Sequence, residues 1–367
     1  MVIILKMSTA CNGTCVYCSA YKDKPQHLSV EVAQRALGLA AEYLRADLRG
    51  HVHIILHGGE PMLRSSRFYA TFDRLIDEQL GALRSRLRVA MQSNLTLLTP
   101  AKAEALKPIL TRPIGTSYDI YPGVRGIRGD QSLDERWYRA IHVAREADID
   151  TGVVYVVHQQ TVRDTEKVWT FFRNHPFVPT VRFNPLYAEG LGKSDEVADL
   201  GITADQWGEF LIRGWRLYER DGFRPSFAPF NEIFAAHVKR EPHQMSCSHK
   251  GNCYNTHMGI DPDGSIYNCG RWSDTQQYSY GTVFDTDREG ILSSEVRLNL
   301  AKRQEVLLQG PCQDCKWWVY CHGGCPNDAY LEHGTIEAPT KWCQGYLAFF
   351  EECLRPLGEP VRREEER

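Results

Sequence analysis

Between Cys18 and Cys247 the chain has no cysteine, a gap of 228 residues in a protein that carries 12. A general liking for small buried thiols would scatter some into that gap. Also missing is any apolar run approaching the ~20 residues that cross a bilayer. The opening MVIILKM is too short for a secretory apolar region. Neither sign of charge dominates: 43 basic and 46 acidic residues give a formal net charge of −3, which excludes bulk attraction to nucleic acid. No internal repeat is visible. These absences predict a cytoplasmic protein without a membrane or nucleic-acid partner. At 367 residues and 43% apolar content, the chain can bury a sizeable core in two or three domains.

The cysteines that are present fall in two blocks. Cys11, Cys15 and Cys18 form CNGTCVYC, and nine more lie between residues 247 and 353. Disulfides are disfavoured in the cytoplasm, so dense cysteine there points to metal. Three thiolates can hold three corners of a [4Fe–4S] cube, whereas a closed cluster takes four. The fourth iron is then open to a ligand. A zinc site or three unrelated buried thiols fit the spacing alone.

Up to about residue 225, apolar strand-like runs alternate with segments of helical spacing. Val2–Lys6, His51–Leu56, Leu87–Met91, Pro113–Ser117, Gly152–Val157 and Thr180–Phe183 read as strands. Helical patterns follow at Val30–Leu44, Phe68–Leu80, from Pro100 with Thr99 as N-cap, at Asp134–Ala147, around Val168–Phe172 and at Trp207–Tyr218. About six strand–helix units predict a parallel sheet with crossover helices. Polar and glycine motifs recur at strand ends: the cysteines, then Gly58-Gly59-Glu60-Pro61, Ser93-Asn94, Ser117 with Asp119, and Asn184-Pro185-Leu186. In parallel barrels that edge carries the active site. His57 and His158, also at strand ends, are the candidates for proton transfer, although a hydrogen-bonded structural role is the commoner fate of such histidines.

The cysteine spacing and GGEP together resemble the radical S-adenosylmethionine (SAM) enzymes. The resemblance implies an α/β fold with an open partial (β/α)6 barrel. It implies that Cys11, Cys15 and Cys18 hold a [4Fe–4S] cluster whose open iron is chelated by SAM. Reductive cleavage would then give a 5′-deoxyadenosyl radical. It further implies SAM contacts at Tyr17, Gly58, Gly59, Glu60, Asn94, Ser117 and Leu186, with Glu60 facing the amino group.

The second block reads C-x10-G-x4-C from Cys253, then C-x2-C-x5-C-x3-C from Cys312, then x17-C. With YCHGGCP and GIDPDGSIYNC it resembles the SPASM domain, a small cysteine-rich unit binding two auxiliary Fe–S clusters. Cys247, six before Cys253, matches an added cysteine of the sulfatase-maturing members. That resemblance implies one cluster on Cys247, Cys253, Cys269 and Cys325, and another on Cys312, Cys315, Cys321 and Cys343. Cys353 has no assignment. Four-thiolate zinc sites are the alternative.

The expected domains are therefore a barrel over 1–225, a linker over 226–246, the auxiliary-cluster domain over 247–355 and a charged tail over 356–367. The expected activity is radical oxidation of a peptide or protein substrate, a crosslink in a ribosomally made peptide. Alternatives are formylglycine formation by an anaerobic sulfatase-maturing enzyme and radical oxidation or epimerisation of a small molecule. In the sulfatase-maturing members an Asp follows the third auxiliary cysteine as the proposed base; here that place is Gly270. A flavodoxin or ferredoxin electron donor and a separate leader-binding protein are the further partners implied.

Overall fold

A computed structural model of the chain describes residues 1–20, 25–129, 133–187, 195–241 and 245–360. The architecture is α/β, a partial barrel of six strand–helix units followed by a small cysteine-rich domain. Its contacts divide it into two compact units.

The first unit takes Met1–Val153 and Tyr254–Leu298. β1 (Val2–Ser8), β2 (Val52–Gly58), β3 (Leu87–Ser93) and β4 (Ile114–Ser117) are parallel neighbours, paired through Ile3 with Ile54, Ile54 with Val89, and Met91 with Ile114. Along β2 and β3 every second residue is fully buried, as a sheet covered by helices on one face requires. Those helices are α1 (Val30–Ala46), α2 (Ser66–Leu80), α3 (Pro100–Leu106) and α4 (Leu133–Glu146). Ser29, Ser65 and Thr99 cap the first three by accepting from backbone N–H groups, and Pro100 opens α3 where its missing N–H costs nothing.

β5 (Thr151–Val157) carries the chain into the second unit. There α5 (Gln159–Arg163), α6 (Thr165–Asn174), β6 (Thr180–Pro185) and α7 (Ala204–Arg220) follow. Residues 226–246, expected to be a linker, contain β7 (Ser226–Ala228), which pairs in parallel with β6, and α8 (Phe230–His237). Phe227 and Phe230 are buried against Trp169 at ring separations of 4.9 and 5.5 Å. The aromatics that made the stretch look irregular are core residues.

The cysteine-rich part holds α9 (Cys253–Thr256), β8 (His257–Ile260), β9 (Ser265–Tyr267), α10 (Gly270–Thr275), β10 (Ser279–Thr282), α11 (Arg288–Ser293), α12 (Glu295–Leu308), α13 (Trp318–Cys321), α14 (Pro326–His333) and α15 (Cys343–Phe349). β8 runs parallel to β1, pairing Ile3 with Met258, and this attaches residues 254–298 to the first unit. The compact units therefore cut across the linear division expected from composition. The PDG turn joins β8 and β9 as expected, with Gly264 at φ +93°. No helix among the described residues is long and apolar enough to cross a membrane. Part of the expected charged tail, 361–367, lies outside the described residues.

Candidate active site

The loop that follows β1 carries Cys11, Cys15 and Cys18, and backbone hydrogen bonds hold it on two sides. On one side Gly59 N–H donates to Ser8 O and Glu60 N–H to Ala10 O, each at 2.8 Å. A Cβ at Gly58 would lie 2.1 Å from Ser8 O, and one at Gly59 2.3 Å from Ala10 O. Gly58 also has φ +129°. What these glycines admit is the root of the cysteine loop itself. On the other side Thr14 N–H donates to Gly126 O at 2.9 Å, Val16 N–H to Val124 O at 3.2 Å, and Arg128 N–H to Asn12 O at 2.9 Å.

Within the loop, Gly13 N–H meets Cys11 Sγ at 3.2 Å. A Cβ at Gly13 would touch Cys11 Sγ at 3.2 Å and Cys15 Sγ at 3.6 Å, so glycine keeps the space between the sulfurs open. Burial pushes the Cys11 thiol up and the Cys18 thiol up to about 11. Iron binding must therefore displace protons from these thiols. Three thiols on one loop fastened by backbone bonds are the donor set that three corners of a [4Fe–4S] cube take.

Glu60 is fully buried. Its Oε1 accepts from Ser93 Oγ at 2.7 Å and Met62 N at 2.8 Å, and its Oε2 accepts from Asn94 N at 2.7 Å. Burial raises its pKa against these donors. Asn94 is tied into the same loop: Nδ2 donates to Asn12 Oδ1 at 2.8 Å, and Oδ1 accepts from Thr96 Oγ1 at 2.7 Å. Tyr17 is buried, its hydroxyl receiving Arg125 Nη1 at 3.1 Å. Ser117 Oγ receives Gln92 Nε2 at 3.1 Å. Tyr17, Gly58, Gly59, Glu60, Asn94 and Ser117 thus share the first unit with the three cysteines. Leu186, buried after β6, belongs to the second unit.

Residues not singled out in the sequence join them. Lys6 is 3% exposed on β1, 3.3 Å from Asp261 and 2.6 Å from Asp274. Burial pulls the ammonium pKa down, but the two carboxylates outweigh it and hold it above the ordinary value. β1 pairs Lys6 with His57 on β2. His57 Nδ1 accepts the Gly58 N–H at 2.7 Å, so the neutral ring carries its hydrogen on Nε2. Burial lowers the His57 pKa, with Asp274 opposing and Lys6 assisting. The signal was present in sequence as a lone charge inside VIILKM. Its partners arrive from 255 and 268 residues away, which no local pattern reveals. His158, fully buried in the second unit, precedes α5 as its N-cap, its backbone N–H meeting Thr161 Oγ1 at 3.4 Å.

A second thiol cradle lies in the second unit. Cys312, Cys315, Cys321 and Cys343 line one small cavity of about 20 Å³ with Trp317, Trp318 and Tyr346. Burial pushes Cys312 up to about 11 and Cys321 up to about 12, and neighbouring thiols add to both. One cavity thus brings together the four thiols that the resemblance assigns to a closed cluster. Of the other expected set, Cys247, Cys253 and Cys325 are in the second unit and Cys269 is in the first. Cys353 is a buried thiol outside both sets.

Residues 5–171 match the radical SAM superfamily. The chain is a radical SAM enzyme. It is 24% identical over 97% of its length to the serine-type anaerobic sulfatase-maturating enzyme of Klebsiella aerogenes, covering 85% of that protein. It is 23% identical to the cysteine-type enzyme of Clostridium perfringens over 95% of both chains. The solved structure of native anSMEcpe with bound AdoMet superposes with a TM-score of 0.81 at 20% identity, over 97% of this chain and 98% of that one. Streptococcus suis SuiB bound to its precursor peptide SuiA gives 0.63 at 13% identity, over 94% and 75%. As a radical SAM enzyme this chain uses a [4Fe–4S] cluster and SAM.

Proposed function

We propose that this radical SAM enzyme oxidises a peptide by two electrons, and that the product is a crosslink within a ribosomally made peptide. The observation that carries the reading is the pairing of a three-thiol loop with a separate four-thiol cradle in one chain. When bound, the cluster–SAM pair supplies a 5′-deoxyadenosyl radical that takes a hydrogen atom, and closed clusters on the C-terminal cysteines supply an acceptor for one electron. Cys11, Cys15 and Cys18 would hold the first cluster; Cys312, Cys315, Cys321 and Cys343 would hold a closed one. Cys247, Cys253, Cys269 and Cys325 remain the set that the resemblance to the SPASM domain implies for the other.

The chain's own groups handle the remaining proton. Gly58 and Gly59 fix the loop. Glu60 keeps one lone pair on Oε2 beyond its three donors, enough to meet an ammonium group. Asp274, held by Lys6 beside His57, takes the proton that leaves the substrate. Its loss, with one hydrogen atom and one electron, completes a two-hydrogen oxidation.

The sulfatase-maturating relatives favour a second reading, formylglycine formation. Against it stands Gly270, which brings no carboxylate to the place where the sulfatase-maturing members have their proposed base. Anaerobic co-expression with a small neighbouring open reading frame tests both readings. A product lighter by two hydrogens and inert to hydrazide reagents supports the crosslink. Aldehyde formation on a sulfatase-derived Ser or Cys peptide supports the second reading and overturns the first.

A further inference from the structure

Arg303 on α12 is 2% exposed, and among the described residues no carboxylate pairs with it. Its guanidinium donates instead to four backbone carbonyls: Ile336 at 2.6 Å, Gly323 at 2.8 Å, Ala338 at 3.0 Å and His322 at 3.3 Å. Carbonyls satisfy N–H groups but bring no net charge. A buried cation without a counterion is among the costliest arrangements in a protein interior. The ionisable groups that act on its charge are cysteines, Cys325 first, then Cys253, Cys321 and Cys312, and only their thiolate forms would offset it. Burial lowers the guanidinium pKa and those thiols oppose it.

The carbonyls come from the two segments that present cysteines. His322 and Gly323 lie between Cys321 and Cys325, and Ile336 and Ala338 lead to Cys343. The Gly323 carbonyl, two residues after Cys321, is turned to Arg303. Gly323 has φ +75°, and a Cβ there would lie 3.3 Å from both terminal nitrogens of Arg303. The loop that follows Cys321 is therefore wrapped on the guanidinium through its carbonyls. Net charge is one of the terms that set a cluster's potential.

We propose that Arg303 is the buried countercharge of the anionic iron–sulfur centres held by the C-terminal cysteines and raises their reduction potentials. This rests on the reading that those cysteines hold clusters. A four-thiolate [4Fe–4S] centre is an anion that becomes more negative on reduction, so a fixed cation beside it favours the reduced form. The arrangement suits a centre that receives an electron.

The test uses the full chain, reconstituted anaerobically, with iron content and redox titration followed by electron paramagnetic resonance. Arg303→Gln is expected to lower the C-terminal cluster potentials by at least a tenfold loss in preference for the reduced form, about 59 mV for a one-electron couple. Arg303→Lys keeps the charge and is expected to stay near the wild-type value, as is the SAM cluster in every variant. Gln304→Glu retains Arg303 and places a carboxylate beside it, so it lowers the same potentials even if Arg303→Gln does not load iron. Loaded Arg303→Gln or Gln304→Glu protein with unshifted potentials overturns the proposal and leaves Arg303 a structural tie. A wild-type chain that binds only one cluster's worth of iron overturns the cluster reading, and this proposal with it.

Discussion

At the scale of single residues, two kinds of side chain matter here: those that must be absent and those that must carry charge. Gly59 is of the first kind. Gly59→Ala places a methyl 2.3 Å from Ala10 O, a backbone atom with no rotamer to escape into. It is expected to cost about 1–3 kcal/mol and to lower iron occupancy of the N-terminal loop several-fold, read as iron per chain and cluster absorbance. Asp274 is of the second kind. Asp274→Asn is expected to retain 5′-deoxyadenosine formation while product formation falls ~10²–10⁴-fold. Equal product yield from wild type and variant would remove Asp274 from the chemistry. Lys6, its partner, has a raised pKa, so its stabilising contribution is fully present below 10.5 and is lost as pH rises through the higher folded value. Lys6→Met should therefore be destabilised at neutral pH by about 3–5 kcal/mol, with the gap to wild type closing at strongly alkaline pH in denaturant titrations.

At the scale of elements, the helix pair α7 and α15 shows how packing reaches a thiol. A Cβ at Gly345 would lie 2.1 Å from Ala204 O, and one at Gly208 2.8 Å from Gly345 Cα. The two backbones touch, and α15 opens with Cys343. Gly345→Ala is expected to push α15 outward and reduce iron bound by the C-terminal cradle, while the N-terminal cluster still assembles. Separate spectral counting of the clusters would check this. Elements of this kind were legible in sequence where local signals were plain: Thr99-Pro100 marks the start of α3, and the runs His51–Leu56 and Leu87–Met91 mark β2 and β3. Local pattern failed where aromatics and prolines mixed, as at Phe227 and Phe230, because tertiary burial decided the conformation there. It also failed for Lys6 with Asp261 and Asp274, and for Arg303 with its carbonyls. Those partnerships are made by topology across long stretches of chain.

At the scale of the whole molecule, the cysteine gap and the two thiol blocks predict separable chemistry. Three clusters correspond to about twelve iron atoms per chain. Cys312→Ala removes one thiol of the four that line the C-terminal cavity. It is expected to lose iron there, retain some SAM cleavage and stop product formation. Normal turnover by that variant would show that electrons leave by another route. The family motifs that made the first block readable are compact in sequence. The division into units was not, because β8 returns to β1 and carries residues 254–298 with it.

The N-terminal cysteine loop is fastened by backbone bonds at Ser8, Ala10, Asn12, Thr14 and Val16, and no sulfur takes part in them. These bonds are expected to hold the loop's course through cluster loss, so iron, sulfide and reductant should restore the cluster absorbance of oxygen-exposed protein without a refolding step.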